Sequence, residues 1–200
     1  MKSYLLRQNR PRGSRLEMVQ LEDRTTPTTG TFAPQLVWGS LQFPSPDPSI
    51  ALGPNQIRTA YGINAIPAFG GTVAANGAGQ TIAIVDAYDA PAIAADLASF
   101  DQYYGTAANG LNAQPVSSFF KKVNQNGGST PPGVDPTGGW EGEEALDVEY
   151  AHSIAPAAKI ILVETNDPNS LFQGDQWAGS QPGITIVSNS WGSTEYHGQN

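Results

Sequence analysis

Residues Gly139–Glu164 read GWEGEEALDVEYAHSIAPAAKIILVE. Four acids, Glu141, Glu143, Glu144 and Asp147, fall within seven residues, in a chain of which only 14% of residues are charged. Small and apolar residues follow as far as Pro156, a pattern that predicts a helix over about 141–154. The run KIILVET then has the length and the unbroken apolar character of a strand buried on both faces. A helix leading straight into such a strand belongs to a parallel sheet covered by helices.

The same alternation continues on either side. In GQTIAIVDAYD the strand Thr81–Val85 leaves a glycine turn and ends on a polar tip at Asp86. Ile93, Leu97, Phe100 and Tyr104 then recur at helical spacing, with Pro91 where a first turn tolerates it and Gly105 as a stop. VSSFFKKV is a further strand, Asn124–Gly139 is a loop of turn formers, and a helical stretch at about 169–180 leads into ITIVSNS. Strands are therefore predicted near 81–86, 116–123, 159–164 and 184–188. Ligands of such sheets bind beyond the carboxyl ends of the strands, where Asp86, Glu164 and the SNSWG turn fall.

Residues 1–50 carry little periodicity and much Pro, Ser and Thr, and read as a leader and disordered linker; residues 51–200 read as the folded domain. Six of the ten Lys and Arg lie in the first 24 residues, so residues 25–200 hold four basic and fifteen acidic groups, a net of −11. A phosphate backbone needs a basic face, so nucleic acid is not an expected partner. No run approaches the length of a membrane span. No cysteine is present, which excludes disulfides, a thiolate nucleophile and Cys-ligated metal. The segment RLEMVQLEDRTTP is similar to a leader motif of large exported bacterial proteins, which together with the acidic body implies an exported or extracellular protein. A plain basic tail is the other reading.

Glu143 and Asp147 are four residues apart, so a helix puts them on one face. Two partly buried carboxyls at that separation do not easily both ionise, and the one that keeps its proton is suited to proton transfer in acid. The competing reading is electrostatic only: acids in a first helical turn complement the helix dipole. Glu141 and Glu144 are assigned to that role.

The stretch as a whole resembles the acidic helix of the sedolisins, the serine-carboxyl peptidases. EEALD matches the Glu-x-x-x-Asp pair, APAAKI the small-residue turn before a strand, TIAIVDAYD the first core strand, and VSNSWGSTE the substrate-lining strand. The resemblance covers roughly residues 53–200. It implies a subtilisin-like α/β fold and hydrolysis of protein or peptide substrates at acidic pH. Glu143 becomes the general base for a serine nucleophile, Asp147 the acid that orients it, and Asp86 an extension of their hydrogen-bonded chain. Trp191 becomes the aromatic residue packed beside it, and Ser190 and Gly192 the lining of the substrate backbone. The family's nucleophile motif, Gly-Thr-Ser, and its oxyanion motif, Gly-Asp-x-Gly, do not occur in the chain. The expectation is thus the N-terminal part of a peptidase domain, incomplete at the C-terminus and inactive as it stands. It requires no cofactor or metal, any family calcium site belonging to the C-terminal part.

Three alternatives remain. A subtilisin-type protease needs a base among His152 and His197, both of which read as surface or structural histidines, and the two make a weak metal site. A non-catalytic binding or scaffold remnant of a peptidase domain is the second. A carbohydrate hydrolase is the third, though acids one helical turn apart are poorly placed to flank a glycosidic bond.

Overall fold

The structure is a computed structural model that describes residues 32–34, 52–106, 111 and 114–193. In chain order the elements are β1 (Ala33–Pro34), α1 (Pro54–Ala60), β2 (Thr81–Ala87), α2 (Ile93–Tyr104), β3 (Phe120–Asn124), α3 (Trp140–Ile154), β4 (Lys159–Thr165), α4 (Leu171–Ser180), β5 (Ile186–Ser188) and β6 (Trp191–Gly192). Four strands form one sheet in the order β3-β4-β2-β5, every pair parallel. No described helix is long and apolar enough to cross a membrane.

The sheet is covered on both faces, which is why the middles of its central strands, Ile82–Val85 and Ile160–Val163, are apolar. Ile82 and Ile84 of β2 and Ile160 and Leu162 of β4 point to one side, where they pack on Ile93 and Leu97 of α2 and Val148 of α3. Ala83, Val85 and Ala87, with Val163 of β4, point to the other side and meet Leu171 and Ala178 of α4. Full burial of each large aliphatic side chain contributes about 1.5–3 kcal/mol.

Helix α4 approaches the sheet closely because Gly174 faces it. A β-carbon there would stand 2.8 Å from Thr165 Cγ2 and 2.9 Å from Val85 Cγ1. Both neighbours are β-branched side chains on central strands with no room to turn away. Gly174→Val is therefore expected to destabilise the domain by about 2–3 kcal/mol, read as a lowered urea midpoint at unchanged slope.

The boundaries differ from the sequence reading where local hydrogen bonds intervene. The expected strand at 116–123 begins instead as a 3₁₀ turn, Val116–Ser118, and extends only from Phe120. Ser118 folds back on Pro115, its N–H and its Oγ both donating to the Pro115 carbonyl at 2.8 and 2.6 Å, a local alternative to the ladder. The last strand is shorter than expected, Ile186–Ser188 rather than 184–188. Helix α4 is preceded by a 3₁₀ turn, Pro168–Ser170, whose free N–H groups are taken by the Asp167 carboxylate.

Phe32–Pro34 correct the linker assignment at those residues. Ala33 and Pro34 pair antiparallel with Gly192 and Trp191, and the buried Phe32 ring meets Phe172 and Trp191 edge-on at centroid separations of 5.3 and 5.4 Å. The rest of 1–50 lies outside the described residues, as does His197.

Candidate active site

Strand register brings the acids together. Asp86 of β2 stands directly opposite Glu164 of β4, each the sixth residue of its strand, and Lys122 of β3 pairs with Leu162, two residues before Glu164. Since side chains alternate, all three share the face that Ile84 and Leu162 give to α2 and α3. After β2 the chain turns sharply at Tyr88, whose φ of 73° lies in the left-handed region that a bulky side chain rarely adopts. That turn is held by the Tyr88 N–H on the Thr165 carbonyl at 2.7 Å, and it sends Asp89 back toward Lys122.

Helix α3 closes the site from above. Its start is fixed by Asp135, whose carboxylate accepts from the backbone N–H groups of Thr137, Gly139 and Trp140. Burial alone would raise the Asp135 carboxyl, but those N–H donors, with the Thr137 hydroxyl, hold it below its ordinary range. Thus anchored, α3 turns Glu143, Glu144 and Asp147 inward. Glu143 is 2% exposed, Glu144 0%, and Asp147 is half-buried.

Asp86 is the centre of the cluster. It is fully buried, and neither of its carboxyl oxygens has a hydrogen-bond partner among the described residues. Burial pushes its carboxyl well above the usual range, and the neighbouring charges of Asp147, Glu143 and Glu164 push it further. The face of α3 that carries Glu143 and Asp147 is therefore turned toward Asp86 at the carboxyl ends of the strands, as expected. Asp147 is raised by burial and drawn back down by Ser190, whose hydroxyl donates to its Oδ1 at 2.9 Å. Trp191 donates its indole N–H to the carbonyl of Val85, the residue before Asp86, at 2.9 Å. Gly192 is occupied in the β1 pairing. The SNSWG segment is thus tied to the acids at Asp147 and beside Asp86.

Glu144 overturns its assignment as a dipole partner. Burial first, then Asp86 and Glu164, push its carboxyl up to about 11. Glu164 is raised to about 7, mainly by burial, against the pull of the Ala90 N–H and the Lys122 ammonium. Lys122 bonds Asp89, Glu164 Oε1 at 3.1 Å and the Ala90 carbonyl at 3.1 Å. Glu144 and Lys122 escaped the sequence reading, although one signal was present: TIAIVD and KIILVE each run five residues to an acid at the sixth. Two such strands in parallel register demand a cation or a proton beside them.

His152 lies nine residues beyond Glu143, about 13 Å along the axis. It is fully buried, stacked on Phe119 at 4.2 Å, with Nε2 3.0 Å from Asp101 Oδ1, and burial lowers its affinity for a proton. A histidine so enclosed has a packing role and no access to substrate. Among the described residues no group of His, Asp and Glu is arranged to hold a metal ion. An open cavity of about 480 Å³ lies at the amino ends of the strands, lined by Thr81, Phe120, Lys159 and Trp177, and none of the acids reaches it. No protein-family model matches the chain, and no curated protein is similar to it.

Proposed function

We propose that α3 carries the acid half of a serine-carboxyl peptidase centre on a sedolisin-like scaffold. Glu143 is the general base, Asp147 orients and charges it, and Asp86 extends the chain of carboxyls into the sheet. The observation that supports this reading most is the meeting of Asp86, Glu143 and Asp147 at the carboxyl ends of parallel strands, with Ser190 bonded to Asp147. A carboxylate base does in acid what histidine does near neutrality. Protein or peptide is the substrate class, and export fits an enzyme that works in acid.

The test is hydrolysis of casein and short peptides from pH 3 to 8, by the 200-residue chain and by a chain extended through any downstream reading frame. The 200 residues contain neither Gly-Thr-Ser nor Gly-Asp-x-Gly and are expected to show no turnover by themselves. Turnover by this chain that Glu143→Ala abolishes would place the nucleophile within it and refute the assignment. Absence of turnover by the extended chain as well would leave the scaffold reading in its place.

A further inference from the structure

At the carboxyl ends of the strands Asp86, Asp89, Glu144 and Glu164 are buried together, and the cation beside them among the described residues, Lys122, is already bonded to Asp89 and Glu164. Within the cluster one pair stands apart. Glu144 and Glu164 are both fully buried where α3 lies over β4, Glu144 one helical turn before Val148 and Glu164 two residues after Leu162, side chains that share one core cluster. Glu164 Oε1 accepts from the Ala90 N–H at 3.0 Å and from Lys122, while its Oε2 and both oxygens of Glu144 have no donor. Two ionised carboxylates cannot be held so, out of water and with donors on a single oxygen of the four. A proton on Glu144 turns the repulsion into a hydrogen bond and supplies the missing donor.

We propose that Glu144 and Glu164 share one proton, and that this proton is an acid-set latch fastening helix α3 to the carboxyl ends of β2 and β4. The latch sits in the core stripe of α3, where Glu144 precedes Val148 and His152 at four-residue intervals, all fully buried. Release of the proton to solvent leaves two buried anions between helix and sheet with only Lys122, itself shared with Asp89, to offset them, and that repulsion acts between α3 and β4. The inference does not depend on the peptidase reading, because Glu144 is not part of the Glu143–Asp147 pair.

The sign follows from burial. Both carboxyls hold a proton more tightly in the fold than in the unfolded chain, so their stabilisation is complete below the ordinary glutamate range and is lost as pH rises through the raised values. Each linked proton makes the folding equilibrium about tenfold less favourable per pH unit over that interval. Asp86 and Asp147, also raised by burial, add to the same trend.

The experiment is urea unfolding of the 200-residue chain, followed by circular dichroism from pH 4 to 8, beside Glu144→Gln. The amide donates where the proton did and does not titrate. The variant is expected to match the wild type at pH 4, to lose about tenfold per pH unit less of its folding equilibrium, and to be the more stable protein at pH 7. A folded variant with the wild-type slope would overturn the latch. Glu164→Gln serves as the second arm, with the same shallower slope expected. If both variants fail to fold at pH 4, where the wild type is folded, a neutral amide has failed to replace a neutral acid and the proposal is wrong.

Discussion

On the proposed serine-carboxyl reading, replacing Glu143 by glutamine is expected to lower kcat on peptides in acid by about 10⁴-fold, with KM little changed. The amide keeps the volume and the polarity of the buried position but cannot accept the proton of a nucleophile. Asp147→Asn is expected to cost about 10²–10⁴-fold, since it leaves Glu143 in place and removes only the group that orients it. Ser190→Ala separates the two roles further. It deletes the hydroxyl that holds the Asp147 carboxyl down, so the acid limb of the pH–rate profile is expected to move to higher pH with little change in the plateau. Kinetics on peptides with matched thermal melts decide the matter. Wild-type kcat in Glu143→Gln would remove Glu143 from the reaction.

The central sheet was legible in the sequence because its strands are continuous apolar runs bracketed by turn formers. Thr81–Ala87 and Lys159–Thr165 need no long-range information to be recognised. Phe32–Pro34 were not legible. A two-residue strand has no pattern of its own, and it exists because the Phe32 ring finds Phe172 and Trp191, about 140 and 160 residues away. Glu143 and Asp147 could be paired from spacing alone. Glu144 could not, because a carboxyl in the core stripe of a helix contradicts the usual sorting of apolar and charged faces. What overrides that sorting is a partner on another strand, Glu164, together with a lysine two residues down the next. Local propensity placed Glu144 at the surface; register placed it in the core.

Lys122→Met is expected to destabilise the domain by about 3 kcal/mol at pH 7 and by clearly less at pH 4. The lysine side chain is only 27% exposed, and its two carboxylate partners, Asp89 and Glu164, are 10% and 1% exposed. Burial by itself would make the ammonium release its proton more readily, but Asp89 and Glu164 outweigh burial and raise it above the ordinary lysine range. The cation is therefore present at every pH at which the domain works, and the pH dependence comes from the carboxyls. At pH 7 the variant leaves Glu164 with no charge partner beside Glu144 and Asp86, the case in which breaking a buried pair costs most. Below the raised value of Glu164, about 7, the Glu144–Glu164 pair carries less negative charge and the missing ammonium matters less. Methionine keeps the length and apolar stem of the lysine, so lost packing contributes little. Urea midpoints of the variant and wild type at the two pH values give the difference directly. Equal losses at both would show that Lys122 packs against the site without neutralising it, and a loss under about 1 kcal/mol at pH 7 would show that the protons of the cluster already balance its charge.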